Sequence, residues 1–227
     1  MLESRAILLD IEGTTTPVTF VYEVLFPYAR KNLDDYVRAH SGEPGLEADL
    51  ARLSIEQAAD PEQSAASPIE YLLWLMDRDR KSTALKAIQG RIWEEGYRSG
   101  SLHGSVYDDV PRAFARWTEE ARRIAIFSSG SVLAQRLLFS HTPYGDLTSY
   151  IAGYFDTTVG PKKEAESYGK ISRGLRLEGR KILFVSDVVD ELEAAKTAGM
   201  ETALCVRSPS KDSPQWLRTI HSFDELM

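Results

Sequence analysis

The sequence predicts a doubly wound, mostly parallel α/β sheet interrupted by an all-helical insertion, and three observations carry that prediction. Four short runs, at residues 6–9, 124–127, 182–185 and 202–206, are apolar on consecutive positions rather than alternate ones. Strands covered on both faces read this way. Helical patterns follow several of these runs, and strand–helix alternation is the mark of a parallel sheet. Between the first and second runs lies a long stretch with helical signals and almost no strand signals.

Taken in order, residues 6–9 (Ala-Ile-Leu-Leu) form the first strand and deliver the chain to Asp10. From Val18 to about Gly100 the pattern is helical. Ser67-Pro68-Ile69-Glu70 supplies a cap serine, a proline at the first helical position and a glutamate at the third. It opens an apolar stretch through Tyr71, Leu72, Trp74, Leu75 and Met76, and Ser82 begins another through Leu85, Ile88, Ile92 and Trp93. Loops are marked by Ser41-Gly42-Glu43-Pro44-Gly45 and by Asp60-Pro61. The second strand, 124–127, leads through Ser128-Ser129-Gly130-Ser131 into a helix over 132–138. A weaker strand at 153–155 precedes a helix over 163–175. The run at 182–185 precedes a helix over 191–198, stopped by Gly199. The predicted division is an α/β core of residues 1–17 and 105–227 with a helical cap of residues 18–104, tethered near 13–17 and 100–105.

Composition narrows the partners. The chain has 227 residues, 43% hydrophobic and 27% charged, enough for one core plus a smaller inserted unit. Its longest apolar run, Tyr71 to Met76, is far short of a membrane span. A net charge of −7 without any basic run argues against nucleic acid and anionic membranes. The single cysteine, Cys205, excludes an internal disulfide framework and fits a reducing compartment. With no long apolar stretch behind the first residues, no signal peptide is visible. A cytoplasmic monomer acting on a small molecule is expected. An anionic ligand would have to be attracted locally, by a metal ion, a lysine or oriented N–H groups.

Ligands of such sheets sit beyond the carboxyl ends of the strands. There the sequence places Asp10-Ile11-Glu12-Gly13-Thr14, then Ser128-Ser129-Gly130-Ser131, then Lys162 and Lys163, then Ser186-Asp187-Val188-Val189-Asp190-Glu191. Carboxylates, hydroxyls and a lysine are the parts needed for phosphoryl transfer with a hard metal ion. A strand-end carboxylate, Asp10, is a rigidly held nucleophile for phosphorus. Glu12 is placed to return a proton to the leaving oxygen. Gly13 permits a tight turn, after which Thr14 to Thr16 are expected to expose hydroxyls and N–H groups. Alternatively, Asp10 does no more than cap that turn. Ser128 and Ser129 precede a helix start, where anions bind, while Ser131 caps the helix. Either lysine can orient a nucleophilic aspartate, or lie solvated at the surface. Magnesium takes oxygen ligands, commonly one or two carboxylates with waters. Asp187 is the first candidate, Glu191 supports the outer shell, and Asp190 is a helix-start acid favoured by the dipole.

These clusters, in this order and with a helical insertion between the first and second, resemble the haloacid dehalogenase superfamily of phosphatases. Glu12, where most of that superfamily carries aspartate, resembles one branch, the enolase-phosphatases (acireductone synthases) of methionine salvage. So do Asp10-Ile11-Glu12-Gly13-Thr14-Thr15-Thr16-Pro17, Tyr97-Arg98-Ser99-Gly100 with Leu102, and Val106-Tyr107-Asp108-Asp109-Val110-Pro111. Phe127-Ser128-Ser129-Gly130-Ser131, and Gly160-Pro161-Lys162 followed by Glu166-Ser167-Tyr168, extend the likeness over nearly the whole chain.

The resemblance implies a magnesium-dependent, two-step reaction on 2,3-diketo-5-methylthiopentyl-1-phosphate, enolisation and then dephosphorylation to the dihydroxy-ketone. It implies Asp10 as nucleophile and metal ligand, Glu12 as acid–base and metal neighbour, and Thr14, Ser128 and Ser129 on the phosphate. Lys162 takes the charge-stabilising role, Asp187 and Glu191 the metal side, and Lys163 the surface. Glu12 is the first candidate for the enolising base and His103 the second. Phe20, Tyr22 and Phe26 are candidates to line an apolar pocket, or ordinary packing of the cap. Two rivals remain. A sibling phosphatase for another sugar or polyol phosphate would share all four clusters. A receiver-type signalling module would need neither Glu12 nor the insertion, and would be roughly half as long.

Overall fold

The computed structural model describes residues 4–208 and 217–226. The chain forms two compact units, one comprising residues up to Phe20 and from His103 onward, the other Val21–Leu102.

Among the described residues the sheet has six parallel strands: β1 (Ala6–Leu9), β2 (Arg123–Phe127), β3 (Ile151–Phe155), β4 (Ile182–Ser186), β5 (Glu201–Cys205) and β6 (Thr219–Ile220). Their order is β3-β2-β1-β4-β5-β6. The four consecutive apolar runs and the weaker one are strands β1 to β5. β6 has only two residues and leaves no apolar run to read. Helices follow in chain order as α1 (Val18–Phe20), α2 (Phe26–Ala39), α3 (Pro44–Ala59), α4 (Pro68–Asp77) and α5 (Thr83–Arg98). After them come α6 (Asp109–Glu119), α7 (Val132–Ser140), α8 (Ala165–Leu175) and α9 (Val189–Thr197).

In the sheet unit, Ala6, Leu8, Ala125, Phe127 and Phe184 pack against Tyr168, Ile171 and Leu192 from α8 and α9. Helix α6, unpredicted, buries Val110, Ala113, Phe114 and Trp117 at helical spacing. Trp117 meets Phe223 with centroids 5.4 Å apart. The pairing is in register: Leu9 stands opposite both Ile126 and Val185. Asp10, the next residue, is therefore level with Phe127 and Ser186, at one edge of the sheet. Helix α8 starts two residues later than predicted, because a turn from Pro161 to Glu164 comes first.

In the helical unit, Ser67 and Ser82 cap α4 and α5 as expected, accepting from Glu70 N and Leu85 N. Pro44-Gly45, read from sequence as loop, instead opens α3, where a proline at the first position loses no hydrogen bond. A π-helical turn, Val21–Leu25, precedes α2, and Trp93 Nε1 donates to Leu25 O at 2.9 Å. Asp49 on α3 accepts from Arg91 on α5 at 2.9 Å. Among the described residues, no helix is long and apolar enough to cross a membrane.

The end of α2 carries a pH-sensitive link. His40 stacks on Tyr36 and reaches Glu43 at 2.9 Å and Glu95 on α5 at 3.2 Å. Its hydrogen bond to Glu43, then that to Glu95, raise its pKa above the usual value despite desolvation. A raised pKa contributes stability that is fully present below the unfolded value, about 6.5, and is lost as pH rises through the folded one. The thermal midpoint of the parent should therefore exceed that of His40→Gln at pH 6 by on the order of 1–2 °C, as a partly exposed pair allows. The gap should close by pH 9; a gap independent of pH would exclude the ion pairs as its source.

Candidate active site

Asp10 sits one residue beyond β1 and is 2% exposed. Its Oδ1 accepts from Lys162 Nζ at 2.6 Å and from Ile11 N at 2.7 Å. The hydroxyl of Ser186, the last residue of β4, donates to its Oδ2 at 3.0 Å. Three donors fix the carboxylate, and the sheet holds its backbone through Asp10 N to Val185 O. Of the two lysines, the structure brings Lys162 to Asp10, whereas Lys163 pairs with Asp190 at the exposed surface.

Lys162 is buried between two carboxylates, 2.6 Å from Asp10 and 2.8 Å from Glu191 Oε2. Burial alone disfavours its ammonium, but the charges and hydrogen bonds of Asp10 and Glu191 outweigh this and raise its pKa. The ring of Phe127 adds a cation–π contact at 5.7 Å. Tyr168 OH donates to Lys162 O at 2.6 Å, and Ser167 Oγ to Pro161 O at 2.7 Å, so the start of α8 holds the lysine loop.

Glu12 reaches Ser128 Oγ at 3.4 Å. Burial, then the charge of Asp10, raise its pKa, opposed by a backbone hydrogen bond, Lys162 and Ser128. A carboxyl whose pKa is raised beside a nucleophilic carboxylate is suited to exchanging protons in acid–base catalysis. Ser128 is buried, and its Oγ also accepts from Gly130 N at 3.1 Å. Ser129 is exposed at the same strand end. Gln135 of α7 donates to Gly130 O and Phe155 O, bracing this loop, and Ser131 caps α7.

One expectation needs correction. Thr14, Thr15 and Thr16 are fully buried rather than exposed, and all three of their N–H groups donate to Ile11 O. The loop winds into a helix-like turn about one carbonyl. Thr14 therefore presents neither a free N–H nor an accessible hydroxyl to a phosphate. Among the described residues, no three His, Cys, Asp or Glu side chains gather as a group that could hold a metal ion. The Glu191 carboxylate is committed to Lys162 and to Ser186, 3.0 Å away. Burial, then Asp10, push the Glu191 carboxyl up to about 7 against the pull of Lys162 and Ser186.

Asp187 is half-buried, just past β4, and its carboxylate lies against Gly13. Gly13 has φ +73°, and a Cβ there would stand 2.7 Å from Asp187 Oδ2. Only glycine allows that approach. Asp10 and Asp187, at the ends of the adjacent strands β1 and β4, offer carboxylate oxygens. That chemistry suits magnesium, which takes few protein carboxylates and keeps waters.

His103 is exposed on the returning segment. Phe20 is buried in the sheet unit. In the helical unit Tyr22 is 58% exposed and Phe26 stacks on Trp93. Sequence reasoning assigned no role to Ser186 or Tyr168. Ser186 had a usable signal, a hydroxyl closing an otherwise apolar strand run, the same logic that singled out Asp10.

Comparison with known proteins identifies the family. Residues 4–199 match the haloacid dehalogenase-like hydrolases. The chain is 50% identical to the enolase-phosphatase E1 of Synechococcus elongatus, over 97% of this chain and 96% of that protein. It is 46% identical to the enolase-phosphatase E1 of Sorangium cellulosum, over 99% and 98% of the two chains. Among solved structures, the UTR4 protein of Saccharomyces cerevisiae superimposes with a TM-score of 0.82 at 34% identity, over 97% of this chain and 99% of that one. The chain belongs to the haloacid dehalogenase-like hydrolases and, within them, to the enolase-phosphatase E1 family.

Proposed function

We propose that the protein enolises 2,3-diketo-5-methylthiopentyl-1-phosphate and then hydrolyses the phosphate ester through an aspartyl-phosphate on Asp10. The observation that carries this reading is the pairing of two unlike carboxyls at one strand end. Asp10 is held by Lys162, Ser186 and Ile11 N, and Glu12 has its pKa raised two residues away.

In the first step Glu12, as carboxylate, removes the carbon-bound proton, and Lys162 supplies positive charge for the developing enolate. In the second, an Asp10 carboxylate oxygen forms a bond to phosphorus while the bond to the ester oxygen breaks. Glu12, now protonated, gives its proton to that leaving oxygen. Glu12 then takes a proton from the water that attacks the aspartyl-phosphate and passes it to solvent, so that phosphate is released and both Asp10 and Glu12 return as carboxylates. Ser128 and Ser129 bind the phosphoryl oxygens. Magnesium, held by Asp10, Asp187 and the main-chain carbonyl of Glu12, supplies charge neutralisation when bound. Glu191 serves in positioning Lys162 and Ser186 rather than as a ligand. The buried free thiol of Cys205 fits a reducing, cytoplasmic setting.

The test follows the diketone phosphate by ultraviolet absorbance for the enol and by phosphorus-31 spectra for the ester, beside a panel of sugar and polyol phosphates. The parent is expected to favour the diketone phosphate and to lose turnover when magnesium is chelated. Equal turnover across the panel would favour the broader phosphatase reading, and full activity in excess chelator would remove the metal. Glu12→Gln should slow both steps, by on the order of 10²–10⁴-fold. Normal enolisation in that variant would move the base to another residue, His103 first.

A further inference from the structure

Just beyond β5, Arg207 makes contacts that the mechanism above does not use. Its Nε and Nη2 donate to the carbonyl oxygen of Thr14 at 3.0 and 2.7 Å. Its Nη1 donates to Asp109 Oδ2 at 2.6 Å and to His221 O at 3.4 Å. The guanidinium lies 4.3 Å from the ring of Tyr107 and 4.6 Å from that of Phe223, and the side chain is 10% exposed. Asp109 is fixed in turn, accepting from Phe223 N at 2.6 Å and Ser222 Oγ at 3.1 Å.

A carbonyl in a turn needs only an ordinary N–H partner. The next one, Thr15 O, is served in this way by Tyr107 N at 3.0 Å. Thr14 O instead receives a buried cation, which must be desolvated and given both a counterion and aromatic faces. A planar fork delivering two bonds to one oxygen fixes direction as well as distance. The peptide it grips, Thr14–Thr15, comes one residue after Gly13, where an added Cβ would stand 2.7 Å from Asp187 Oδ2. The same short loop begins at Asp10 and carries Glu12.

We propose that Arg207 is a positioning residue for the reaction, clamping the Thr14–Thr15 peptide so that Asp10 and Glu12 hold their placement against Asp187. This rests on the assignment of Asp10 and Glu12 made above. A displacement of about an ångström in such a loop is enough to cost on the order of 10²-fold in rate.

The experiment compares the parent, Arg207→Lys, Arg207→Met and Asp10→Asn, each with its thermal midpoint and with kcat and KM for the diketone phosphate. Assays are run well below every midpoint. Arg207→Lys keeps a cation for Asp109 but loses the fork. It should melt near the parent yet lose about 10- to 100-fold in kcat, with KM within roughly twofold. Arg207→Met should show the same or a larger loss in kcat together with a lower midpoint. A purely structural arginine predicts the opposite for Arg207→Lys, with parental kcat whenever the protein is folded. That result, while Asp10→Asn is inactive, would overturn the clamp alone, as would failure of both Arg207 variants to fold, which would mark a role in folding only. Activity surviving in Asp10→Asn would instead bring down the assignment of the nucleophile, and the clamp with it.

Discussion

Asp10→Asn is expected to abolish phosphate release, by on the order of 10⁴-fold or more, while leaving the fold in place. The substitution is isosteric. The amide oxygen can still accept from Lys162 and Ile11 N, and the amide nitrogen faces Ser186, whose hydroxyl can accept as well as donate. What disappears is the anionic oxygen able to bond phosphorus. The thermal midpoint should hold or rise, because Asp10 is one of the charges that raise the carboxyls of Glu12 and Glu191. Enolisation should outlast dephosphorylation, since it needs a base and charge stabilisation but no bond to phosphorus. Phosphorus-31 spectra should therefore show the enol phosphate accumulating. Fluoroberyllate, which mimics an acyl-phosphate, should be retained by the parent and not by the variant. Phosphate release within tenfold of the parent would end the covalent mechanism.

Lys162→Met should damage stability and chemistry together. The ammonium neutralises two carboxylates whose side chains, like its own, are no more than 10% exposed. Taking out one member of a buried ionic cluster leaves the others uncompensated, at a cost of about 3–5 kcal/mol. That cost should depend on pH. Glu191 already has its carboxyl raised to about 7 with the lysine present, and Lys162 is the largest influence pulling it down. Without the lysine Glu191 should titrate higher still. A raised carboxyl favours the folded state at low pH and loses that contribution as pH climbs from the unfolded value, about 4.3, through the folded one. The deficit against the parent in denaturant titrations should thus be small near pH 5 and grow toward pH 9. Turnover in the folded fraction should fall on the order of 10²–10³-fold with the loss of the fixed cation. A variant as stable as the parent at pH 9 would show that the two carboxylates are not held together by Lys162.

Much of the scaffold was legible because burial leaves a direct trace in composition. Residues 6–9, 124–127 and 182–185 are apolar on every position, which only a strand covered on both faces requires, and the caps at Ser67 and Ser82 are local hydrogen bonds between near neighbours. Helix α6 was missed although Val110, Ala113, Phe114 and Trp117 have helical spacing; the proline in its first turn is no more specific to a helix than to a loop. Pro44-Gly45 misled in the same way, since a proline suits a loop and a first helical turn equally.

The candidate site divides along a similar line. The sequence alone determined which chemistry is present: a strand-end aspartate, an acid two residues on, serines before a helix, a lysine and a further aspartate, each beside its own element. Only the tertiary structure decided their partners. Lys162 and Asp10 are 152 positions apart and meet because the parallel strands run in register. That register also turned Glu191 toward Lys162, wound Thr14 to Thr16 inward around Ile11 O, and brought Ser186, Tyr168 and Arg207 to their places. Bonds from a side chain to a distant carbonyl leave no pattern in the residues that make them, because every residue has the same carbonyl. The parts of a site are written locally, whereas the distances between them belong to the packed sheet.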